Sequence, residues 1–467
     1  MLAVSAGKAA RTTVRQIGRG NGTAAPGKVA LRIYPAMLAS LAGEIPHGAV
    51  LVTGTNGKGT TCRMVAEVMK AAGLSPVLNH EGSNQPTGLA TTLLAQSGVR
   101  GHLIADHRTI GLFEVDEGSL PEILPEIARP AAIVVTNILR DQLDRYLEID
   151  YLTSRWERAL RDLPADTTLV LNADDPRVAC LAPDLANRRV YYGLDDPAHS
   201  RGSSDPTSDS PRCPRCSGAL DYDRIYYAHL GHWRCRDCGL ARPEPDVRAV
   251  SLDLLGPTAA RLDVATPDAR TAVDVPLPGV YNAYNVVAAC AAAHACGLPA
   301  GTLPSIGQVT TGFFRMEKLS MRGRDVYLTL AKNPNGYTEV LRALLGDGQP
   351  KHMLLALNDR AGNQQPDVSW IWDIDFESLS GLADGVVVSG NRAADLALRL
   401  KYAGWTSAGS TPAGGLAIEP DCIAAFKLAL RRTPADQPLW VVSTYLVLWQ
   451  MREWLRRNGF VGALWNR

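Results

Sequence analysis

Ala49-Val50-Leu51-Val52-Thr53-Gly54-Thr55-Asn56-Gly57-Lys58-Gly59-Thr60-Thr61 runs from an apolar segment into a glycine-rich turn, and Met64-Val65-Ala66-Glu67-Val68-Met69 continues it with a helical pattern. Strand, turn and helix start together make a phosphate cradle. Glycines let backbone N–H groups approach an anion, and the helix N-terminus adds partial positive charge. On this reading Gly54, Thr55, Asn56, Gly57 and Gly59 line the cradle and Lys58 reaches the terminal phosphates. Thr60 or Thr61 is placed to ligate the accompanying magnesium. The loop departs from the general phosphate-loop form by ending in Gly-Lys-Gly-Thr.

The chain around this loop has 467 residues, more than one core usually holds, so two or three domains are expected. Forty-eight Lys and Arg balance 47 Asp and Glu, which gives no electrostatic reason to expect a nucleic-acid partner. No uninterrupted apolar run approaches the roughly 20 residues of a membrane span. Met1 to Gly27 carries Lys8, Arg11, Arg15 and Arg19 but no apolar core of signal-peptide length, so a cytoplasmic protein is expected. Cys62, Cys180, Cys290, Cys296 and Cys422 lie among apolar neighbours and read as buried thiols of a reducing compartment.

Strand-like runs at Val50–Thr53, Leu112–Val115, Ala132–Thr136 and Leu169–Asn172 alternate with helical patterns. This predicts an α/β fold with a mostly parallel sheet covered on both faces, and ligands at the carboxyl ends of its strands. Asn285 to Cys296 reads as an Ala-rich helix. A second α/β block follows, with strands at Val326–Leu330, Met353–Leu357, Gly385–Val388 and Leu439–Val442. The expected domains are a basic, Gly-rich lead-in and helix over residues 1–45, a central ATP-binding domain over 46–310, and a C-terminal Rossmann-like domain over 318–467.

Within the central domain, residues 211–242 form a separate unit. Cys213-Pro214-Arg215-Cys216 and Cys235-Arg236-Asp237-Cys238 are two Cys-x-x-Cys knuckles 18 residues apart, the spacing of a four-cysteine zinc ribbon. Leu220–Tyr222 and His232–Arg234 read as hairpin strands that position the knuckles. Four thiolates close zinc's tetrahedral shell, so the site is expected to be structural. His229 and His232, between the knuckles, read as surface residues. The mixed charge of the flanks argues against a nucleic-acid role for the ribbon.

Four further motifs follow the loop in order: the acidic strand end Leu112-Phe113-Glu114-Val115-Asp116-Glu117, Thr136-Asn137-Ile138-Leu139-Arg140-Asp141-Gln142, Leu171-Asn172-Ala173-Asp174-Asp175-Pro176, and Gly279-Val280-Tyr281-Asn282-Ala283-Tyr284-Asn285. With Gly-Thr-Asn-Gly-Lys-Gly-Thr, this set resembles the Mur ligase and folylpolyglutamate synthetase superfamily. The resemblance implies that Glu114 helps hold magnesium, and that Asn137, Asn172, Asp174, Asn282 and Asn285 belong to the ATP site, with Asn172 near the adenine. Tyr281 stands where the superfamily has a histidine.

Asp141-Gln142 in place of Asp-His, the four-cysteine unit, Ala331-Lys332-Asn333-Pro334-Asn335-Gly336 and Asp367-Val368-Ser369-Trp370-Ile371-Trp372-Asp373 resemble the MurT branch, as does Gly18–Thr23. That branch works with a GatD-like glutaminase subunit. The resemblance implies ATP-dependent amidation, at the inner face of the plasma membrane, of the D-glutamate α-carboxylate in the stem peptide of lipid II, giving D-isoglutamine for peptidoglycan biosynthesis. About 45 residues before the loop are too few for a nucleotide-sugar-binding domain, which fits a lipid-linked substrate. No Cys-His nucleophile elbow is present in the sequence, so ammonia is expected from the partner.

Asp367 or Asp373 is expected to orient or deprotonate ammonium, Asp367 being preferred for its loop-start position. The plainer reading makes Asp367 a helix cap beside two core tryptophans. Two alternatives remain: a ligase adding an amino acid, whose carboxylate Arg315 or Arg360 would hold, and an ATP-binding zinc-ribbon protein without ligase chemistry.

Overall fold

The computed structural model describes residues 2–17, 24–79, 83–139, 149–202, 212–309, 316–321, 323–349, 351–359, 367–377, 380, 383–405 and 416–461. Gly18–Thr23, Arg140–Arg145, Arg315 and Arg360 lie outside them.

Strands β1 (Ala49–Thr53), β2 (Ser75–Leu78), β3 (Thr109–Glu114), β4 (Pro130–Val135), β5 (Thr168–Asn172) and β6 (Arg189–Leu194) form a parallel array. After a separate hairpin, β7 (Leu220–Tyr227) and β8 (Leu230–Cys235), the chain returns through β9 (Val247–Leu254), β10 (Ala260–Ala265) and β11 (Arg270–Val275). The sheet order is β11-β10-β9-β6-β5-β4-β1-β3-β2. Only β9-β10 and β10-β11 pair antiparallel, so the expected mostly parallel sheet is present with an antiparallel edge.

Period-two alternation sends side chains to two cores. Val50, Val52, Val134 and Val170 pack with the helices Lys58–Ala71 and Val280–Ala295. Leu51, Ile133, Val135, Leu169 and Leu171 pack on the opposite face with Leu89, Leu93, Trp156 and Leu160. Both faces of the strands are buried, which is why they read as continuous apolar runs.

A second sheet begins at β12 (Glu317–Met321) and contains β13 (Arg324–Leu330), β14 (Lys351–Ala356), β15 (Ala383–Ser389), β16 (Ala417–Ile418) and β17 (Leu439–Ser443) in the order β12-β13-β17-β14-β15-β16. It is parallel apart from β12-β13. Met353, Leu355, Val388 and Val442 face one helical layer, and Leu354, Val387, Leu439 and Val441 the other.

Three sequence expectations change. Among the scattered cysteines, Cys62 and Cys290 are buried but Cys180, Cys296 and Cys422 are half-buried, being near helix ends rather than in the layers. Trp370 is half-buried and Trp372 is exposed, its ring tilted against Tyr402 and covered by Arg399 instead of lying in the core. His229 is fully buried and His232 half-buried, because their hairpin packs onto the large sheet.

Candidate active site

The strand order β4-β1-β3 sets the phosphate loop between Asn137, just beyond β4, and the acids ending β3. Gly57 is left-handed at φ 87° and caps the helix Lys58–Ala71. A Cβ there would lie 2.1 Å from Asn285 Oδ1, so only glycine fits. Gly54, at φ 125°, is similarly close to Thr136 Oγ1, 2.3 Å from where its Cβ would be.

Asn137 clamps the loop through both polar atoms of its amide: its Oδ1 accepts from Asn56 N at 2.9 Å and its Nδ2 donates to Asn56 O at 3.1 Å. Thr55 is stitched to Leu139, its Oγ1 accepting from Leu139 N at 3.0 Å and donating to Leu139 O at 3.2 Å. From the other side, Asn285 Nδ2 donates to Asn282 Oδ1 at 3.1 Å and Asn282 Nδ2 to Pro278 O at 2.7 Å. The bonds from Asn137 and Leu139 brace the loop backbone, with the Thr55 and Asn56 N–H groups themselves donating to Asn137.

Of the two candidate threonines, Thr61 is fully buried and donates to Asn285 Oδ1 at 3.4 Å, whereas Thr60 lines the cleft. Lys58 Nζ is held by Gly54 O, by Thr55 O at 3.1 Å and by Glu117 Oε2 at 2.8 Å. Burial opposes the Lys58 charge, but Glu117, Glu114 and Asp116 outweigh it and raise its pKa. Burial likewise opposes the Glu117 charge, and Lys58 and Lys332 together hold the carboxyl below its usual range. Glu114, half-buried, accepts from Asn84 Nδ2 at 3.0 Å. Oxygen donors clustered beside a phosphate loop are the ligand chemistry that magnesium takes. Glu117 was one acid of a visible cluster, but its pairing with Lys58 depends on β3 lying beside β1.

Asn172 and Asp174 lie at the carboxyl end of β5. Asn172 is fully buried, with Nδ2 donating to Thr136 O at 2.9 Å and Oδ1 accepting from Asp174 N at 3.0 Å. Asp174, also fully buried, accepts from Arg242 Nε at 2.6 Å, Tyr284 Oη at 2.7 Å and Leu194 N at 2.9 Å. Burial alone would raise the neighbouring Asp175 carboxyl, but His229 and backbone N–H groups hold it low.

Cys213, Cys216, Cys235 and Cys238 offer four sulfurs within 4.8 Å of one another. Cys213 and Cys238 Sγ are 3.7 Å apart and Cys216 and Cys235 Sγ 3.5 Å, near the roughly 3.8 Å edge of a tetrahedron with zinc–sulfur bonds of about 2.3 Å. The backbone N–H of Cys238 draws the Cys235 thiol down to about 7, while the Cys216 thiol, against the side chains of Cys235 and Cys238, is pushed up to about 12. The knuckles close the hairpin β7-β8, whose far end reaches the nucleotide loop: Asn56 Nδ2 donates to Tyr227 Oη at 2.8 Å. No sequence motif marks that contact.

The C-terminal domain supplies the opposite wall of the cleft. Asn333 Nδ2 donates to Asn56 Oδ1 at 3.2 Å, and Lys332 and Glu339 line the same cleft. Glu339 pairs with Arg201 of the central domain at 2.5 Å and with Arg342 at 3.0 Å. Asp367 is exposed and accepts from Ser369 N at 2.8 Å and Ser369 Oγ at 3.0 Å, in a turn one residue ahead of Val368, which holds the cap position of the short helix. Asp373 is exposed at the end of the short helix Ser369–Asp373.

Residues 52–211 match the Mur ligase middle domain and residues 330–448 the MurT ligase C-terminal. The chain is 33% identical over 407 residues, covering 86% of it and 87% of the relative, to the lipid II isoglutaminyl synthase (glutamine-hydrolyzing) subunit MurT of Staphylococcus aureus (strain COL). It is 32% identical over 437 residues, 92% of it and 94% of the relative, to the subunit of the same name from Streptococcus pneumoniae (strain ATCC BAA-255 / R6). A pseudomurein peptide ligase type C from Methanothermus fervidus shares the fold, with a TM-score of 0.65 and 21% identity over 88% of this chain and 79% of that one.

Proposed function

The chain belongs to the MurT family of Mur-ligase-like subunits, and from that premise we propose that it amidates the α-carboxylate of D-glutamate in the lipid II stem peptide, consuming ATP. The observation that carries this reading is the junction at Asn56, where a Mur-type phosphate loop meets a MurT-type C-terminal domain across one cleft.

In the proposed sequence, an oxygen of the substrate carboxylate attacks the γ-phosphorus of ATP, the bond to the β–γ bridging oxygen breaks, and ADP leaves. Ammonia then attacks the carbonyl carbon of the acyl phosphate, the carbon–oxygen bond breaks, and phosphate departs. Magnesium, held by Thr60 and Glu114, would supply charge neutralisation at the phosphates. Lys58 stabilises the same developing charge, and the loop backbone braced by Asn137 orients the phosphates in a preformed site. Glu117 keeps Lys58 charged and aimed. Incoming ammonium loses a proton to Asp367, or to Asp373, from the C-terminal side. Zinc at the four cysteines serves the fold.

Ammonia comes from glutamine hydrolysed by a GatD-like glutaminase, so the working form is a heterodimer at the cytoplasmic membrane face, where lipid II presents its peptide. The test is amidation of lipid II by the purified chain with ATP and magnesium. Ammonium salts at high concentration should support it and glutamine alone should not, while adding a glutaminase subunit should make glutamine effective. Efficient use of glutamine by the isolated chain would overturn the two-subunit reading. ATP turnover indifferent to lipid II would overturn the ligase reading.

A further inference from the structure

The ribbon hairpin touches the central domain in a pattern that exceeds what holding four cysteines requires. Its turn is driven into the carboxyl end of β5: Gly231 N donates to Asp174 O at 2.9 Å, Trp233 Nε1 to Ala173 O at 3.0 Å, and the buried His229 Nε2 lies 3.4 Å from Asp175 Oδ2. The segment feeding the hairpin is tied to it as well, since Arg201 N donates to Ile225 O at 2.7 Å and Ile225 N to Gly202 O at 3.0 Å. The same Arg201 holds Glu339 across the cleft.

Thus anchored, the end of β7 presents Tyr227, 3% exposed, to the phosphate loop. Every polar atom of Asn56 is engaged there. Its N–H and C=O go to Asn137, its C=O also to Thr136 Oγ1 at 2.8 Å, its Oδ1 to Asn333 and its Nδ2 to Tyr227. Three parts of the chain therefore converge on one asparagine, and Tyr227 is the ribbon's share. An Asn side chain with both ends bonded has one orientation. The amide that bonds the C-terminal domain is then held in register with the peptide that faces the phosphates.

We propose that Tyr227 is a positioning residue for nucleotide binding: through Asn56 it fixes the phosphate loop, so the ribbon is part of the nucleotide site. The inference rests on the phosphate-loop reading above. Tyr227 touches no reacting atom in this scheme. It lowers the cost of ordering the loop around ATP, an effect on affinity more than on the chemical step.

The experiment measures binding of a non-hydrolysable ATP analogue with magnesium, steady-state kinetics, zinc content and melting temperature for the full chain carrying Tyr227→Phe. The Kd and the KM for ATP should rise roughly five- to tenfold, the worth of one hydrogen bond, with kcat and zinc content unchanged. Adding Tyr227→Phe to Asn56→Ala should cost nothing beyond Asn56→Ala alone. Wild-type affinity in Tyr227→Phe, fully additive losses in the double variant, or a parallel fall of kcat, zinc content and melting temperature would each overturn the assignment. Failure of the wild-type chain to bind the analogue would instead overturn the phosphate-loop reading, and this inference with it.

Discussion

Lys58 and Glu117 form an ion pair at 2.8 Å, with side chains 9% and 7% exposed, bringing together the phosphate loop after β1 and the acid cluster after β3. Removing one partner strands the other charge in a buried setting. Lys58→Ala should therefore cost on the order of 3 kcal/mol of stability as well as at least about a thousandfold in amidation. Denaturant titration of Lys58→Ala and of Lys58→Ala with Glu117→Gln separates the two effects: stability should return in the double variant and activity should not. Near-normal turnover in either would remove Lys58 from the chemistry.

The same pair sets a pH signature. The Glu117 pKa is depressed, so its stabilising contribution is complete above the ordinary carboxyl value of 4.5 and is lost as pH falls through the lower folded value. The Lys58 pKa is raised, so its contribution is complete below 10.5 and is lost as pH climbs through the higher folded value. Unfolding free energies across these two ranges should slope for the wild type and be flatter at acid pH for Glu117→Gln. Parallel curves would mean that the pair contributes nothing.

Gly57 is fixed by both its conformation and its neighbour, so Gly57→Ala should abolish nucleotide binding and lower stability by about 1–2 kcal/mol from the left-handed backbone alone. Asn285→Ala removes the clashing oxygen and should restore only part of that loss. Calorimetric titration with ATP decides the matter.

If the four sulfurs hold zinc, elemental analysis should find about one zinc per chain, and Cys235→Ser should lower the melting temperature and the zinc content. A fully stable protein without metal would reject the site.

Asp367→Asn keeps an oxygen able to accept from Ser369 N while removing the proton acceptor. Amidation with ammonium and with glutamine should fall together, and ATP affinity should not change. Unaltered amidation would leave Asp367 as a turn residue alone.

The central strands were legible because both of their faces are buried, which writes them as apolar runs: Val50–Thr53 and Leu169–Asn172 fall almost on β1 and β5. The edge strands β9 to β11 have outward residues such as Arg261 and Asp274 paired to each other, and their mixed pattern hid them. At the site, the loop glycines and the cysteine knuckles carry their chemistry in spacing. The bonds that hold Asn172, to Thr136 and Asp174, come from strand order and from the turn after β5, which sequence does not spell out. Glu117 and Tyr227 acquire their partners from strand order and from the docking of a distant hairpin, which no local pattern encodes.

The ribbon is inserted in a crossover connection of the large sheet. Its two flanking strands, β6 and β9, are parallel neighbours paired from Tyr192↔Val247 to Leu194↔Ala249. Parallel neighbours require a crossover that carries the chain back along the full sheet, a task usually given to a helix. Here the four-cysteine hairpin interrupts that return path, and its two ends are neighbours, Leu220 pairing with Cys235. The hairpin thus adds a docked unit without adding span: a connection that bypassed it would still leave β9, β10 and β11 within reach of their edge.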